Sequence, residues 1–309
     1  MEKNIEKYDL AIIGGGPAGL TAAIYSYRAG LKTIVFDAPD PGSQILKTNS
    51  LENFPGFPEP ISGYELIDKM RNHARNLGVN LIDEKILSFA KEGDLFFLKT
   101  ESGMEIQSSA TIIAAGSAPK MLGLPSENIF FGRGVSTCAV CDGAFFRNKE
   151  VAVVGGGDSA VGDAIYLSRF VSKVYLIHRR QQFRANEANL NRARKNSKIQ
   201  FVLDSVITDI MGDRTVSSIS VKNLINGEIK NIPVQGVFIA IGQKPASDLF
   251  AGIVELNTDG TIKVDERCRT NVPGLFAAGD VADSLYRQAI IAAASGAKAA
   301  FEAGMFLKS

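Results

Sequence analysis

The residues best able to do chemistry are two cysteines three positions apart, Cys138 and Cys141. This spacing places the thiols close enough to form a small-ring disulfide, and it commonly lowers one thiol pKa and supports thiol–disulfide exchange. Asp142 follows directly, and a carboxylate beside an exchanging dithiol can carry the proton that moves when the disulfide opens. The segment therefore predicts a redox-active pair with Asp142 as its proton carrier.

Other interpretations of these residues compete with that prediction. A zinc site needs about four ligands, and outside the pair the sequence offers Cys268, His73 and His178, so no metal is expected. Two inert buried thiols are less easily excluded by spacing alone. Asp142 precedes Gly143, and Asp-Gly is also a strong turn dipeptide. Cys268 has no neighbouring partner, and we interpret it as a small residue in a strand, without a role.

Two glycine-rich segments predict dinucleotide-binding loops. Each fits G-x-G-x-x-G, or its variant ending in alanine, between a predicted strand and a predicted helix. The first glycine permits a tight turn, the second lets the backbone approach a pyrophosphate, and the third small residue lets the helix pack on the strand. The residues assigned to the loops are Gly14, Gly16, Pro17, Ala18 and Gly19 in the first and Gly155, Gly157, Asp158, Ser159 and Ala160 in the second.

The residue at the end of the second strand distinguishes the two nucleotides. Asp37 lies 23 residues after Gly14, where a carboxylate can accept hydrogen bonds from ribose hydroxyls. The same offset from the second loop reaches a cationic group made of His178, Arg179, Arg180 and Arg184. Guanidinium groups can bind a 2′-phosphate, so we expect NADP(H) at the second loop and an adenine dinucleotide without that phosphate at the first. The competing interpretation is a solvated cationic strand end.

The two loops belong to an internal repeat. Residues 8–38 and 149–180 each read as strand, glycine turn, helix and strand, with the motif glycines 141 residues apart. We therefore predict an α/β protein with two doubly wound dinucleotide-binding domains. Residues 111–116 resemble residues 237–242, whereas 275–280 has no counterpart in the middle of the chain, which indicates that the second domain is inserted in the first. The expected domains are 1–118 with 246–309, and 119–245.

The composition excludes several function classes. The 309 residues contain 34 Lys and Arg against 33 Asp and Glu, so no bulk basic field attracts nucleic acid or an anionic membrane. Three cysteines are too few for a secreted disulfide framework and fit a reducing compartment. No uninterrupted apolar run reaches the roughly 20 residues needed to span a bilayer. We expect a cytoplasmic protein that binds neither nucleic acid nor membrane.

Taken in order, these segments resemble the low-molecular-weight, bacterial and plant type of thioredoxin reductase over nearly the whole chain, from Tyr8 to Gly304. The motifs that carry the resemblance are 52–57 (ENFPGF), 138–143 (CAVCDG), 178–180 (HRR) with 183–185 (FRA), and 279–281 (GDV) with 287–289 (RQA). Departures from the family pattern are few. Ser43 stands where the family has the second glycine of Gly-Gly-Gln, and Gly162-Asp163 stands where two glutamates are usual.

The resemblance implies cofactors, a partner and residue roles. It implies NADPH at the second glycine loop, thioredoxin as the electron acceptor, and a homodimer. It also implies that Cys141 faces the flavin and that Cys138 attacks thioredoxin. The residues that would hold FAD with the first glycine loop are Asp37, Gln44, Asn53, Gly279, Asp280, Arg287, Gln288 and Ala289.

Two other functions stay open at the level of sequence. One is an FAD- and NADPH-dependent reductase of a different acceptor, such as a glutaredoxin-like protein or ferredoxin. The other is a flavin-binding sensor without catalysis. A reductase that does not use the cysteine pair would keep its turnover when both cysteines are replaced by serine, and a sensor would show no bleaching of its visible absorbance by NADPH.

Overall fold

A computed structural model describes residues 5–38, 45–48 and 51–308. The chain forms two compact units, Met1–Ala118 with Lys244–Ser309, and Pro119–Gln243. The first unit resumes at Lys244, two residues before position 246, where the sequence predicted it to resume. We describe each unit by itself.

Seventeen strands and seven α-helices make up the described part of the chain. The strands are β1 Glu6–Ile13, β2 Thr33–Phe36, β3 Asn80–Ile82, β4 Ile86–Glu92, β5 Leu95–Thr100, β6 Glu105–Ile113, β7 Ser117–Pro119, β8 Val135–Ser136, β9 Glu150–Val154, β10 Lys173–Ile177, β11 Ile199–Val202, β12 Ser205–Gly212, β13 Val216–Asn223, β14 Ile229–Pro233, β15 Gly236–Ile239, β16 Gln243–Pro245 and β17 Leu275–Ala277. The helices are α1 Pro17–Arg28, α2 Gly63–Leu77, α3 Pro125–Phe130, α4 Ala139–Asp142, α5 Asp158–Leu167, α6 Glu187–Arg194 and α7 Ala289–Phe306.

The first unit is built on a seven-stranded sheet in the order β3-β2-β1-β6-β5-β4, with β17 paired to β6. The pairs that β1 makes with β2 and β6 are parallel. Successive residues of β1 point to opposite faces, so Leu10 and Ile12 enter one apolar cluster while Ala11 and Ile13 enter the other. Because both faces are covered there, the second half of the strand, from Leu10 to Ile13, is a continuous apolar run. Strand β17 returns from the C-terminal part to complete this sheet.

Helix α7 packs against α1 on one face of that sheet. Ala292, Ala299 and Ala303 are buried in the same cluster as Ala22 and Ala23 of α1. Within the described ranges, α7 is long and apolar enough by length and composition to cross a membrane, and 44% of it is buried. Its row of buried alanines is typical of a core helix.

The second unit contains a parallel five-stranded sheet, β11-β10-β9-β15-β8, and a three-stranded antiparallel sheet, β12-β13-β14. Val151 and Val153 of β9 pack with α5, whereas Ala152 and Val154 pack with the antiparallel sheet. Each unit therefore contains one strand–helix–strand copy that ends in parallel pairing of its two strands. The predicted α/β fold with two dinucleotide-binding βαβ units is confirmed.

The prediction that Cys268 lies in a strand is wrong. It lies in a tight turn and not in a strand, with φ of +64° and its N–H donating to the Asp265 carbonyl oxygen at 3.1 Å. Its side chain is buried, and burial raises the pKa of the thiol. The sequence around Cys268 is rich in polar residues, which a turn explains better than a strand.

Candidate functional site

Cys138 and Cys141 form a disulfide at the start of a short helix in the second unit. Cys138 is the N-cap residue of α4, and Cys141 follows one helical turn later, which brings their Cα atoms to 5.3 Å. The N–H of Cys141 donates to Cys138 Sγ at 3.2 Å. Both residues are partly exposed. A bonded and accessible pair favours redox exchange over zinc binding or inert thiols, and the amide donor would stabilise a thiolate on Cys138 after reduction.

Asp142 is the last residue of α4 and is half-buried. Burial raises the pKa of its carboxyl, and a hydrogen bond from the Ser136 hydroxyl opposes that rise. Its N–H donates to the Cys138 carbonyl oxygen at 3.1 Å, so its backbone is fixed to the disulfide segment. A carboxyl that holds its proton to a higher pH than an ordinary aspartate suits proton delivery to a departing sulfur.

The first glycine loop joins β1 to α1. Gly14 has φ of +114°, and a Cβ there would lie 2.2 Å from the carbonyl oxygen of Ala114. A Cβ at Gly19 would lie 1.8 Å from the Gly14 carbonyl oxygen, so the absence of a side chain lets α1 pack on the loop. A Cβ at Gly16 would meet nothing within 4 Å. The open side of the loop is therefore at Gly16, directly before Pro17 begins the helix.

The second glycine loop joins β9 to α5 and repeats this geometry. A Cβ at Gly155 would lie 2.3 Å from the carbonyl oxygen of Ala240 and 2.7 Å from Cβ of Ala160. A Cβ at Gly157 would again meet nothing within 4 Å. In both loops the first glycine faces a strand-end carbonyl and the glycine before the helix faces open space.

The helices that follow the glycine loops have no side-chain cap. Gly16 and Gly157 are the N-cap residues of α1 and α5, and neither helix has a side-chain hydrogen bond at that end. In α2 and α6, by contrast, Ser62 and Asn186 cap the helix by accepting an N–H of the first turn. Uncapped amide donors at a positive helix end fit an anionic pyrophosphate. Both loops therefore fit an adenine dinucleotide.

The middle glycine of each loop makes room for the residue at the end of the second strand. A Cβ at Gly15 would lie 2.1 Å from Cγ of Asp37, and a Cβ at Gly156 would lie 2.1 Å from Cε1 of His178. The Gly15 N–H also donates to Asp37 Oδ1 at 3.0 Å. The two residues that the sequence assigns to nucleotide selection thus occupy the same place in their units, against the glycine loop.

Asp37 belongs to an ion-pair network in the first unit. Arg71 of α2 pairs with both Asp37 and Asp83, and its side chain is only 15% exposed. Burial raises the pKa of Asp37, and Arg71 and the Gly15 N–H oppose that rise. Arg71 therefore favours the ionised form of Asp37, the form that an acceptor for ribose hydroxyls would need.

His178 fixes the cationic segment to the second glycine loop. Its Nε2 lies 3.1 Å from the Gln182 carbonyl oxygen, and its ring packs on Phe183 with centroids 4.7 Å apart. The Arg184 N–H donates to the Gly156 carbonyl oxygen at 2.7 Å. Burial lowers the pKa of His178, and the neighbouring arginines lower it further. His178 is buried, whereas Arg179, Arg180 and Arg184 are exposed at the surface beside the loop.

Asp158 and Ser159 are the first two residues of α5, and their side chains differ in their contacts. Asp158 Oδ1 accepts the backbone N–H of Asn186 at 2.8 Å, which ties the segment after the arginines to the start of the helix. Ser159 is exposed. Of the two, Ser159 has the side chain more open to a ligand.

The C-terminal segment of the first unit brings together several residues expected to hold FAD. Asn53 Nδ2 donates to Gln288 Oε1 at 3.0 Å, across 235 positions of sequence. Gly279, with φ of +75°, would place a Cβ 3.0 Å from that of Ala18 in the first glycine loop. Gln288 is the residue before Ala289, where α7 begins.

Asp280 lies in the same segment and is largely shielded from water. Burial raises its pKa to about 6, and Arg287 lowers it. The Ser117 hydroxyl lies 3.5 Å from Asp280 Oδ2. Gln44, which was also expected to hold FAD, lies outside the described residues.

Sequence reasoning missed three contributors to these sites. Arg71 pairs with Asp37 from 34 positions away, Asn186 donates to Asp158, and the Ser136 hydroxyl accepts the N–H of Cys138. The polar Ser-Thr pair directly before Cys138 was a usable signal for Ser136. Nothing in the sequence pairs Arg71 with Asp37, because α2 carries other charged residues at similar spacing.

Comparisons with known proteins agree over almost the whole chain. Residues 8–296 match the pyridine nucleotide-disulphide oxidoreductase family. The chain is 44% identical to a thioredoxin reductase of Streptomyces coelicolor, over 97% of this chain and 94% of the relative. It is 46% identical to a thioredoxin reductase of Mycolicibacterium smegmatis, over 97% and 96%.

Solved structures give the same result. The crystal structure of thioredoxin reductase from Streptococcus pyogenes aligns with a TM-score of 0.90 at 39% identity, covering 98% of both chains. The thioredoxin reductase from Giardia duodenalis aligns with a TM-score of 0.93 at 39% identity, covering 98% of this chain and 100% of that one.

Proposed function

The chain belongs to the pyridine nucleotide-disulphide oxidoreductase family, and from that premise we propose that Cys138 and Cys141 are its redox pair and that its glycine loops bind FAD and NADPH. It is a thioredoxin-disulfide reductase that uses both cofactors. The net reaction consumes NADPH, a proton and the disulfide of thioredoxin, and it releases NADP⁺ and the thioredoxin dithiol. The disulfide next to Asp142, in the unit that carries the arginine segment, is the observation that supports this assignment of residues.

The first unit is the FAD-binding domain in this proposal, and the second is the NADPH-binding domain. Asp37 accepts ribose hydroxyls at the first loop, where Arg71 opposes the rise that burial causes in the pKa of its carboxyl. Arg179, Arg180 and Arg184 bind the 2′-phosphate of NADPH at the second loop. When bound, FAD supplies the two-electron relay between the nicotinamide and the disulfide.

The reduced pair passes its electrons on by thiol–disulfide exchange. The Cys138 thiolate attacks one sulfur of the thioredoxin disulfide, which breaks that S–S bond and forms a mixed disulfide. Cys141 then attacks Cys138 Sγ, so that the Cys138–Cys141 disulfide re-forms and the thioredoxin dithiol leaves. The Cys141 N–H, which points at Cys138 Sγ, supports Cys138 as the attacking thiolate.

Asp142 handles protons in this scheme. A sulfur that leaves a disulfide carries negative charge, and a neighbouring carboxylic acid neutralises it by donating a proton. The raised pKa of Asp142 keeps this carboxyl protonated to a higher pH than that of an exposed aspartate. Asp142 also ends α4 directly before the short 3-10 helix Gly143–Phe146, and this structural role is compatible with proton transfer.

The decisive experiment measures NADPH oxidation with disulfide-form thioredoxin as the acceptor. We expect turnover in the wild type, loss of thioredoxin reduction in both Cys138→Ser and Cys141→Ser, and retention in Cys268→Ser, the matched control. Cofactor content is measured in all variants. Full turnover in the two redox-pair variants would remove the cysteine pair from the reaction and favour a different acceptor.

The same assay with NADH tests the arginine segment. NADPH is expected to give the higher kcat/KM, because guanidinium groups gain charge-assisted hydrogen bonds to the 2′-phosphate that NADH lacks. A preference for NADH would overturn the role of Arg179, Arg180 and Arg184.

A homodimer and a cytoplasmic location complete the proposal. The outer face of α1 and α7 carries exposed apolar side chains, including Tyr25 at 42% and Phe301 at 62%, whose rings stack edge to face with centroids 5.3 Å apart. A second copy of the chain is the partner proposed for this face. The low cysteine content and the exchange-active pair support a reducing compartment.

A further inference from the structure

We propose that Asp158 and Asn186 form a clamp that positions the arginines of the second unit for the 2′-phosphate of NADPH. This inference rests on the proposed binding of NADPH at the second glycine loop. Asp158 is a positioning residue in this role, and it acts through the segment 179–186, which carries the three arginines. It occupies a variable position of the glycine motif, so the motif alone does not give it this role.

The segment 179–186 runs from the end of β10 back to the second glycine loop. Near its start, His178 Nε2 lies 3.1 Å from the Gln182 carbonyl oxygen. Further along, the Arg184 N–H donates to the Gly156 carbonyl oxygen at 2.7 Å. One hydrogen bond fixes a point on the backbone and not its direction, so the bond at Arg184 by itself would leave the chain around it free to turn.

The contact between Asp158 and Asn186 removes that freedom, two residues after Arg184. Asp158 Oδ1 accepts the backbone N–H of Asn186 at 2.8 Å, and it also accepts the Asn186 side-chain amide. Asn186 is in turn the N-cap residue of α6, where its Oδ1 accepts the Asn189 N–H at 2.9 Å. One carboxylate oxygen at the start of α5 is therefore joined to the start of α6, at the point where the arginine segment ends.

The charge of Asp158 makes the clamp testable by the direction of an effect. A carboxylate at the start of α5 repels the pyrophosphate that this helix end would attract, so loss of the charge alone would strengthen binding of NADH and NADPH alike. Loss of the clamp weakens NADPH instead, because guanidinium groups without a fixed orientation make poorer paired hydrogen bonds to the 2′-phosphate. NADH lacks that phosphate and is not weakened.

The first test compares kcat/KM for NADPH and for NADH in the FAD-loaded enzyme, with disulfide-form thioredoxin as the acceptor. Asp158→Ala removes the acceptor oxygen and is expected to lower kcat/KM for NADPH by roughly three- to tenfold, while the value for NADH stays at or above that of the wild type. Asp158→Asn keeps an oxygen acceptor without the charge and is expected to restore the preference for NADPH. An unchanged ratio of the two values in Asp158→Ala would overturn the clamp.

Glu187→Ala is the matched control. Glu187 is also an exposed acid at the first position of a helix in the same unit, and its carboxylate pairs with Arg194 at 2.8 Å. The substitution removes the same charge beside the arginine segment and leaves the clamp in place, so the preference for NADPH should not fall. A fall as large as that in Asp158→Ala would contradict the inference. If the wild type itself does not prefer NADPH, the proposed function of the arginines fails instead.

Two further measurements do not depend on turnover. Calorimetry with adenosine 2′,5′-bisphosphate should show weaker binding to Asp158→Ala than to the wild type, whereas binding of adenosine 5′-monophosphate should not weaken. Amide hydrogen exchange without NADPH should be faster in residues 179–187 of Asp158→Ala, because the Asn186 N–H has lost its acceptor. Equal weakening of both nucleotides, or wild-type exchange in these residues, would sink the role of Asp158 and leave that of the arginines intact.

Discussion

At the scale of single residues, the two loops show why each carries three consecutive glycines. The first avoids a strand-end carbonyl, and the middle one leaves space for Asp37 or His178. The last, Gly16 or Gly157, has empty space where its Cβ would be. Contacts within the protein therefore explain two glycines of each triplet, and the third points to a ligand.

This difference yields a prediction for Gly157. Because a Cβ at Gly157 meets nothing in the protein, Gly157→Ala should fold normally, yet the added methyl should collide with the pyrophosphate of NADPH. We expect KM for NADPH to rise about tenfold or more, which corresponds to at least about 1.4 kcal/mol of lost binding. Steady-state kinetics gives the KM, and visible absorbance gives the FAD content, which should not change.

Gly162→Ala is the control for that experiment. A Cβ at Gly162 also meets nothing within 4 Å, but the residue lies in the middle of α5 and not at its start. KM for NADPH should stay at the wild-type value, and helix propensity should add up to about 1 kcal/mol to the free energy of unfolding. Equal KM values in the two variants would contradict a pyrophosphate at Gly157.

At the scale of secondary-structure elements, the helix after each glycine loop begins without a side-chain cap. Ser62 and Asn186 satisfy the first amides of α2 and α6, and no side chain does so for α1 and α5. The same βαβ element is thus used twice, and in the function that we propose the residues after its second strand decide which nucleotide it takes.

Helix α5 also carries a half-buried acid, Asp163, that makes stability depend on pH. Burial raises the pKa of Asp163 to about 7, so the folded state keeps a proton that the unfolded chain has already lost above about pH 4. This contribution is full at low pH and declines as the pH rises from about 4 to about 7. Asp163→Asn should remove that decline from the free energy of unfolding.

Urea denaturation at several pH values measures the effect of Asp163→Asn. Asp213→Asn, at an exposed position between β12 and β13, is the control and should keep the wild-type pH dependence. If Asp163→Asn leaves the slope unchanged, Asp163 is ionised in the folded protein and its environment is more polar than its burial indicates.

At the scale of the whole molecule, the outer face of α1 and α7 decides the oligomeric state that we propose. Tyr25, Phe301 and Met305 are exposed there, and α1 and α7 are also the helices that pack most extensively on each other. An exposed aromatic pair on two closely packed helices suits an interface in which the same surface of each copy contacts the other.

Phe301→Glu should convert the dimer to a monomer, because it places a charge in an apolar contact that each copy makes with the other. Sedimentation velocity measures the change. The control is Ile225→Glu, which alters a side chain that is 77% exposed on the second unit and should leave the dimer intact. A wild-type protein that sediments as a monomer, or a dimeric Phe301→Glu, would contradict the proposed interface.

The sequence by itself determined the α/β class, and it located the two glycine loops, the cysteine pair and the carboxylate beside that pair. These features depend on local spacing: a glycine triplet between strand and helix, two cysteines one turn apart, and a selecting residue 23 positions after the loop. The internal repeat strengthened each assignment, since a pattern that occurs twice at one offset is hard to obtain by chance.

Only the tertiary structure decided which distant side chains tune these groups. Arg71 reaches Asp37 because α2 packs on α1, the helix that follows the first glycine loop. Asn53 meets Gln288 across 235 positions because the C-terminal segment returns to the first unit. The structure also places Cys268 in a turn, where the sequence predicted a strand. Such contacts depend on how elements pack, and the periodicity of one segment carries no information about the partner that another segment brings to it.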